Sequence, residues 1–252
     1  MNILLSRLDD SFIVSAIEVK QREGKTDLNN FGAVSTDHIG GNYDWPDGDY
    51  LTRERIFQDH VNYMMGLLYF LSKDERVPAP IRGEAGRWGL PADEFTTTAN
   101  WPHQLYIREA RRMIADVVMT EHHCRHIAAV EDIVGYAAYT MDFHNCRRLV
   151  IDGRCINEGN VEIAPYGPYP ISYRSIIPKG EQCQNLLVPV CLSASHIAFG
   201  SIRMEPVFMV LGQSAATAAA LALEGNKAVQ DLDYSVLCER LLMDGQILQW
   251  KR

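Results

Sequence analysis

His196, flanked by Ser193 and Ser195, lies in a polar loop that runs straight into an apolar helix, in the run Ser193-Ala-Ser-His-Ile-Ala-Phe-Gly-Ser-Ile-Arg-Met-Glu-Pro206. An imidazole titrating near neutrality is suited to take a proton from a C–OH or C–NH group, which is general-base chemistry. The same residue beside hydroxyls also serves as a hydrogen-bonded structural histidine. Arg203 then adds a cation that does not titrate in the physiological range. Met204, Glu205 and Pro206 follow it. Pro206 suits the first helical position, where its missing N–H costs nothing. Glu205 is a poor cap, so the first-turn N–H groups are left for an electron-rich ligand. The lesser alternative for Arg203 is a surface ion pair. Tyr173 and Arg174, in Ile-Ser-Tyr-Arg-Ser, supply a phenol and a guanidinium of the kind that orient a polar substrate. His144 with Asn145, and His103 with Tyr106, are further polar pairs that serve structure or catalysis.

His122, His123, Cys124 and His126 carry metal-ligand chemistry, and on a helix His122 and His126 would share a face at i and i+4. No HExxH run accompanies them, and no metal site is expected. No GxSxG run marks a nucleophilic serine. The six cysteines form no CxxC pair. Buried free thiols, rather than disulfides, are expected, pointing to a reducing compartment and a cytoplasmic location.

These groups need elements to hold them. Residues 11 to 19 read as a β-branched strand, and 24 to 32 as a polar turn-rich segment. A long aromatic loop covers Ser35 to Asp49. Thr52 reads as the N-cap of a helix running to about Ser72, buried nearly all round at its Met-Met-Gly-Leu-Leu-Tyr-Phe-Leu end. Residues 73 to 91, rich in proline and glycine, read as a connector, with a short helical turn from Pro91 to Phe95. Apolar spacing predicts a second helix from Leu105 to Glu121. Short strands and turns follow at 127 to 140, 148 to 151 and 154 to 163, with Asp152-Gly153 as a hairpin turn. Leu186 to Leu192 reads as a buried strand. A helix from Pro206 to Leu223 has Gly225 at its C′ position. Gly212, Ala216 and Ala220 form one smooth stripe along it, and Ser214, Ala218 and Ala222 a second, so that another backbone can approach closely. A last helix spans about Ser235 to Asp244.

The chain has 252 residues, 47% hydrophobic and 22% charged, with a net charge of −8. That length buries a substantial core. The negative balance argues against a nucleic-acid partner. No apolar run reaches the length of a bilayer span, so no membrane partner is expected. The first residues, Met1-Asn-Ile-Leu-Leu-Ser-Arg, are too short an apolar stretch for a secretory signal.

The tract Ser193 to Leu223, with Asn185-Leu-Leu-Val-Pro-Val before it, resembles the C-terminal signature of the FAD-dependent oxidoreductase family of xanthan-lyase-like bacterial flavoproteins. Lys25-Thr-Asp-Leu-Asn-Asn, Ser35-Thr-Asp-His-Ile-Gly-Gly-Asn-Tyr, Trp101-Pro-His-Gln-Leu-Tyr-Ile-Arg-Glu-Ala-Arg-Arg-Met, Met141-Asp-Phe-His-Asn-Cys-Arg and Tyr169-Pro-Ile-Ser-Tyr-Arg-Ser-Ile-Ile-Pro-Lys match in the same order. The resemblance runs from about Gly24 to Trp250. It implies an α+β fold, an α/β flavoprotein fragment. Residues 1 to 184 would be a substrate-facing region and 185 to 252 the last strand and helix of an FAD-binding domain. It implies FAD as cofactor, with Arg203, Met204, Glu205 and Pro206 at the flavin's pyrimidine edge. It also implies hydride transfer from a polar small-molecule substrate, with His196, Tyr173 and Arg174 as the catalytic set. The GxGxxG unit that carries the pyrophosphate in this family is not in the sequence. A truncated product, or a separate chain bearing the N-terminal FAD-binding half, is therefore expected. The alternative is a non-catalytic module that binds carbohydrate through Tyr43, Trp45, Trp88 and Trp101.

Overall fold

The computed structural model describes residues 36–105 and 111–250, so the expected strand at 11 to 19 and the polar turn at 24 to 32 lie outside the described residues. In chain order the elements are α1 (Tyr50–Lys73), α2 (Ala79–Ala85), a 3-10 turn (Thr96–Thr98), α3 (Glu121–Cys124), β1 (Ile133–Ala137), β2 (Met141–Phe143), β3 (Arg147–Ile151), β4 (Arg154–Glu158), β5 (Val161–Ile163), β6 (Tyr169–Ser172), a 3-10 turn (Tyr173–Ser175), α4 (His196–Ile202), α5 (Glu205–Glu224), a 3-10 turn (Val229–Asp231) and α6 (Tyr234–Met243). The fold is mixed α+β, as expected. Its strands make three antiparallel pairs, β1 with β6, β2 with β5, and β3 with β4. The chain divides into two compact units: Met1–Ile107 with Asn145–Glu158, and Arg108–His144 with Gly159–Arg252.

In the first unit, helix α1 is capped by Asp49 rather than Thr52. The Asp49 carboxylate accepts the Thr52 N–H at 2.8 Å, and that bond holds its pKa below the ordinary value. A carboxylate placed before the helix outcompetes a hydroxyl already inside its first turn. The far end of α1 is not buried all round: Leu71 is enclosed, but Tyr69 is 70% exposed. The expected connector contains a helix of its own, α2. Pro78 and Pro80 preset its first turn, and its Ile81 is buried. The expected turn from Pro91 to Phe95 is followed by a 3-10 turn at Thr96–Thr98, with Phe95 and Ala99 left-handed on either side. The β3–β4 hairpin turns at Asp152 and Gly153, both at positive φ, as the Asp-Gly pair predicts.

The second unit is built around α5. Val207, Leu211, Ser214, Ala215, Ala218 and Ala222 are its buried face, and it packs on β1 and α6. Thus the Ser214–Ala218–Ala222 stripe lies in the core. Gly212 faces open space, with nothing within 4 Å of where its Cβ would lie, and Ala216 and Ala220 are exposed. At β1 the register shifts between Ile133 and Gly135. The Val134 carbonyl accepts from Ser214 Oγ at 2.6 Å and from Gln246 Nε2 at 3.0 Å. A Cβ on Gly135 would lie 2.5 Å from Val210 Cγ1. Helix α5 ends with Gly225 in the right-handed region. The left-handed residue is Asn226, and the Lys227 N–H closes on the Ala222 carbonyl at 2.9 Å. Asn tolerates that conformation through its short polar side chain.

Two sequence expectations fail here for one reason. Residues 106–110 of the expected helix Leu105 to Glu121 lie outside the described residues, and 111–120 are not helical. The N–H groups of Met113 and Met119 bond to the Cys191 and Ser193 carbonyls at 2.9 and 3.0 Å, and Ser195 N–H returns to Met119 O at 2.8 Å. Met119 and Ala194 form a single parallel bridge. The expected strand Leu186 to Leu192 is likewise no strand: Val188 N–H goes to Ile176 O and Ser193 N–H to Ser175 O, while Leu186 and Val190 face solvent. Apolar spacing permitted regular elements, but non-local backbone partners satisfied these groups instead.

Helix α4 lies against β2 through Gly200, whose added Cβ would meet Phe143 Cζ at 2.4 Å and the Asp142 carbonyl at 3.0 Å. Gly200→Ala should therefore destabilise the protein by about 1–3 kcal/mol through overpacking. Gly212→Ala, on an open helix face, should stabilise it by about 0.5–1 kcal/mol. Urea denaturation of the two variants checks both signs.

Candidate functional site

The site grows from the short helix α4, which replaces the loop expected around His196 because Ser195 supplies a cap. Ser195 caps it, its Oγ accepting the Ala198 N–H at 3.2 Å. That cap aims the first residue, His196, across β2, where the imidazole stacks on Phe143 with ring centroids 4.0 Å apart. At the other end of α4, Arg203 folds back to the same strand. Its Nη2 donates to the Asp142 carbonyl and to Asp142 Oδ2, both at 3.1 Å. The structure thus brings His196 and Arg203 onto one strand, β2. Between them Ser201 Oγ donates to the Tyr139 carbonyl and accepts from Tyr169 OH at 2.6 Å. Burial of Tyr169 pushes its phenol far above the usual range, so it stays a neutral donor.

The Arg203 side chain is only 7% exposed, and its Nε is buried with no hydrogen-bond partner among the described residues. An unpaired buried guanidinium N–H is costly, because the desolvation is not repaid. Arg203 directly precedes Met204, the N-cap of α5, and no side chain caps that helix. Glu205 and Pro206 are exposed there. The helix start offers fewer amides than its sequence promised. Val207 N–H and Phe208 N–H both close on the Met204 carbonyl, at 2.9 and 3.1 Å, and Pro206 has none to give. What remains is a guanidinium already paired with Asp142, its orphaned Nε donor and the positive end of a 20-residue helix. That set fits the acceptor edge of a flavin ring, a carbonyl oxygen and ring nitrogen that gain negative charge on reduction.

Tyr173 and Arg174 are placed by a different strand, β6, and bonded to different partners. Tyr173 is buried, with its OH donating to the Val229 carbonyl at 2.8 Å, and burial pushes its pKa up to about 12. Arg174 donates from Nε to Asp132 Oδ2 at 3.1 Å and from its backbone N–H to the same oxygen at 2.9 Å. Ser172 Oγ bonds both oxygens of Asp132. The Arg174 side chain remains half exposed. His144 directly follows β2 and is half-buried; His103 approaches the Phe95 ring at 6.0 Å, and Tyr106 lies outside the described residues. Sequence reasoning missed Asp142 and Phe143 as the residues that anchor Arg203 and His196. Their signal was the Met141-Asp-Phe-His run, which carried the family resemblance without an assigned role.

The histidine cluster is dispersed. Helix α3 stops at Cys124, and His126 follows in the left-handed region, so His122 and His126 do not share a helix face. His126 stacks near Trp250, with centroids 6.5 Å apart. Among the described residues no group of three or more His, Cys, Asp or Glu is arranged to hold a metal. His123 instead caps its own helix: its Nδ1 accepts the Thr120 N–H at 2.9 Å. Burial lowers its pKa from 6.5. The unfolded chain therefore binds this proton first as pH falls, so stability is full above about pH 6.5 and declines below it. His123→Gln keeps an acceptor at the capping position and removes the titration. Wild type should lose more stability than this variant between pH 7 and pH 5, read from denaturation midpoints at each pH.

No curated protein and no solved structure matches the chain. A family model described as FAD dependent oxidoreductase matches residues 3–241. That match spans both compact units and includes every residue placed around β2, α4 and the start of α5. The chain belongs to the FAD-dependent oxidoreductase family, whose cofactor is FAD.

Proposed function

We propose that this chain forms the substrate-facing region (1 to 184) and the C-terminal part of the FAD-binding domain (185 to 252) of a xanthan-lyase-like oxidoreductase. The reaction is hydride transfer from a polar organic substrate to flavin. The observation that carries this reading is Arg203: a buried cation with an unpartnered Nε at the uncapped start of α5. Bound FAD supplies the two-electron acceptor. Arg203, Met204, Glu205 and Pro206 would hold its pyrimidine edge, where the guanidinium would offset negative charge. His196, its ring plane set by Phe143, takes the proton from the substrate's C–OH or C–NH at a ring nitrogen. Arg174, half exposed, orients a polar substrate group, and Tyr173 fixes the turn that carries it. The pyrophosphate needs a GxGxxG unit from outside this sequence, on the same or a separate chain. All six cysteines are free thiols, which supports a cytoplasmic placement.

A non-catalytic carbohydrate module is not favoured. The family match covers residues 3–241, and three of the four aromatics that reading needs already have partners within the chain. Trp88 Nε1 donates to Glu84, Trp45 lies under the Arg53 guanidinium, and Tyr43 OH donates to the Cys146 carbonyl.

Reconstitution tests the proposal. The chain, combined with a GxGxxG-bearing half, should acquire flavin absorbance. Arg203→Ala should weaken FAD binding by about tenfold or more, as expected for a charged hydrogen bond. His196→Ala should retain FAD but lower kcat by about 10²–10⁴-fold. Flavin binding and turnover indifferent to both substitutions would remove the assignment.

A further inference from the structure

Among the described residues the β3–β4 hairpin is a two-stranded sheet with no further strand beside it. All five residues of β4 are exposed, Val150 on β3 is 78% exposed and Ile156 on β4 is 42% exposed. Two strands alone are marginal in water, and a free edge is a template for another strand. Strand β4 carries no proline, and its two charges, Arg154 and Glu158, stand at its ends and leave Cys155 to Asn157 uncharged.

The residues of β4 specify one partner. Its sequence, Arg154-Cys-Ile-Asn-Glu158, is self-complementary when read antiparallel about Ile156. Arg154 falls opposite Glu158, Cys155 opposite Asn157, and Ile156 opposite itself. The backbone agrees with that register. In a two-residue hairpin, Ile151 and Arg154 exchange both bonds next to the turn, and bonded and non-bonded pairs then alternate. Arg154, Ile156 and Glu158 therefore spend their backbone groups on β3, while Cys155 and Asn157 turn theirs to the open edge. The register centred on Ile156 pairs these outward groups with each other. A slip by one residue would break both the ionic match and the bond pattern. Strand β3 has no such property, because pairing about Leu149 sets Arg147 against Ile151.

We propose that a second copy of this chain pairs with β4 edge to edge, antiparallel about a two-fold axis at Ile156, forming a continuous four-stranded sheet. The pairing is isologous, so each favourable contact occurs twice. Arg154 of one copy meets Glu158 of the second copy at both ends of the seam. Leu149, Ile151 and Ile156 lie on one face of the hairpin by strand alternation. With their symmetry mates they make one apolar surface across the dyad. This inference rests on the hairpin alone and does not depend on the proposed chemistry.

Charge exchange tests it on the full chain by sedimentation velocity over a micromolar dilution series, with circular dichroism confirming the fold of each variant. Wild type should sediment as a dimer. Arg154→Glu and Glu158→Arg should each raise the dimer dissociation constant by about tenfold or more, because each places like charges opposite one another at both ends. The double exchange R154E/E158R should restore dimerisation, since the seam is again complementary. Glu158 also meets Arg147 within its own hairpin, at 3.4 Å. Restoration by the double variant is not expected if that internal contact alone were at work. As an independent readout, Ile156→Cys should give a disulfide joining the two introduced thiols under mild oxidation, identified by peptide mapping. A monomeric wild type throughout the series, or a dimer whose double variant is as weak as the singles, overturns the proposal.

Discussion

Helix α4 can lie on strand β2 only because residue 200 has no side chain. A methyl group there would clash with the edge of the Phe143 ring, and the helix would have to lift away. This contact fixes both ends of the candidate site. His196 opens α4 and Arg203 follows its last turn, so a seven-residue helix held flat on β2 sets the imidazole over Phe143 and the guanidinium on Asp142. Because α4 runs directly into α5, the same contact aims the start of the long helix. Packing in interiors tolerates little adjustment, so a single close approach governs several side chains.

The other end of that geometry is held by α5 on β1. The register shift at β1 leaves the Val134 carbonyl to be satisfied by side chains, and Ser214 and Gln246 both donate to it. Gly135 gives Val210 the room it needs. Contrary to the expectation that no apolar run reaches bilayer length, α5 is long and apolar enough by composition to cross a membrane; here it is tied to a strand through hydrogen bonds on its buried face. Irregularity in the strand and polarity in the helix thus solve one accounting problem, a carbonyl that must not be left unpaired.

Much of the candidate site was legible because its signals are local. Arg203 and the proline-started helix after it are neighbours in the chain, and the rule of proline placement reads them, whereas the helix that Ser195 caps stands where the sequence suggested a loop. The anchors were not legible. Asp142 and Phe143 lie far from Arg203 and His196 in sequence, and nothing in residue type says which strand an arginine will fold back on. Tyr173 was read as a substrate-orienting phenol, yet its hydroxyl meets the Val229 carbonyl, a partner that exists only after the chain has closed. The segment 111–120 shows the same limit: its spacing suits a helix, but its amides found the 191–195 loop.

The sequence by itself determined the α5 and α6 helices, the Asp152-Gly153 hairpin, the family and its cofactor, since these depend on periodicity, turn chemistry and motif order. Tertiary structure alone decided which carbonyl caps which donor, that the Gly212 stripe faces outward, and that Arg203 Nε is buried without a partner. Local propensity is a property of a few consecutive residues, whereas burial and hydrogen-bond satisfaction are settled by atoms brought together from distant parts of the chain.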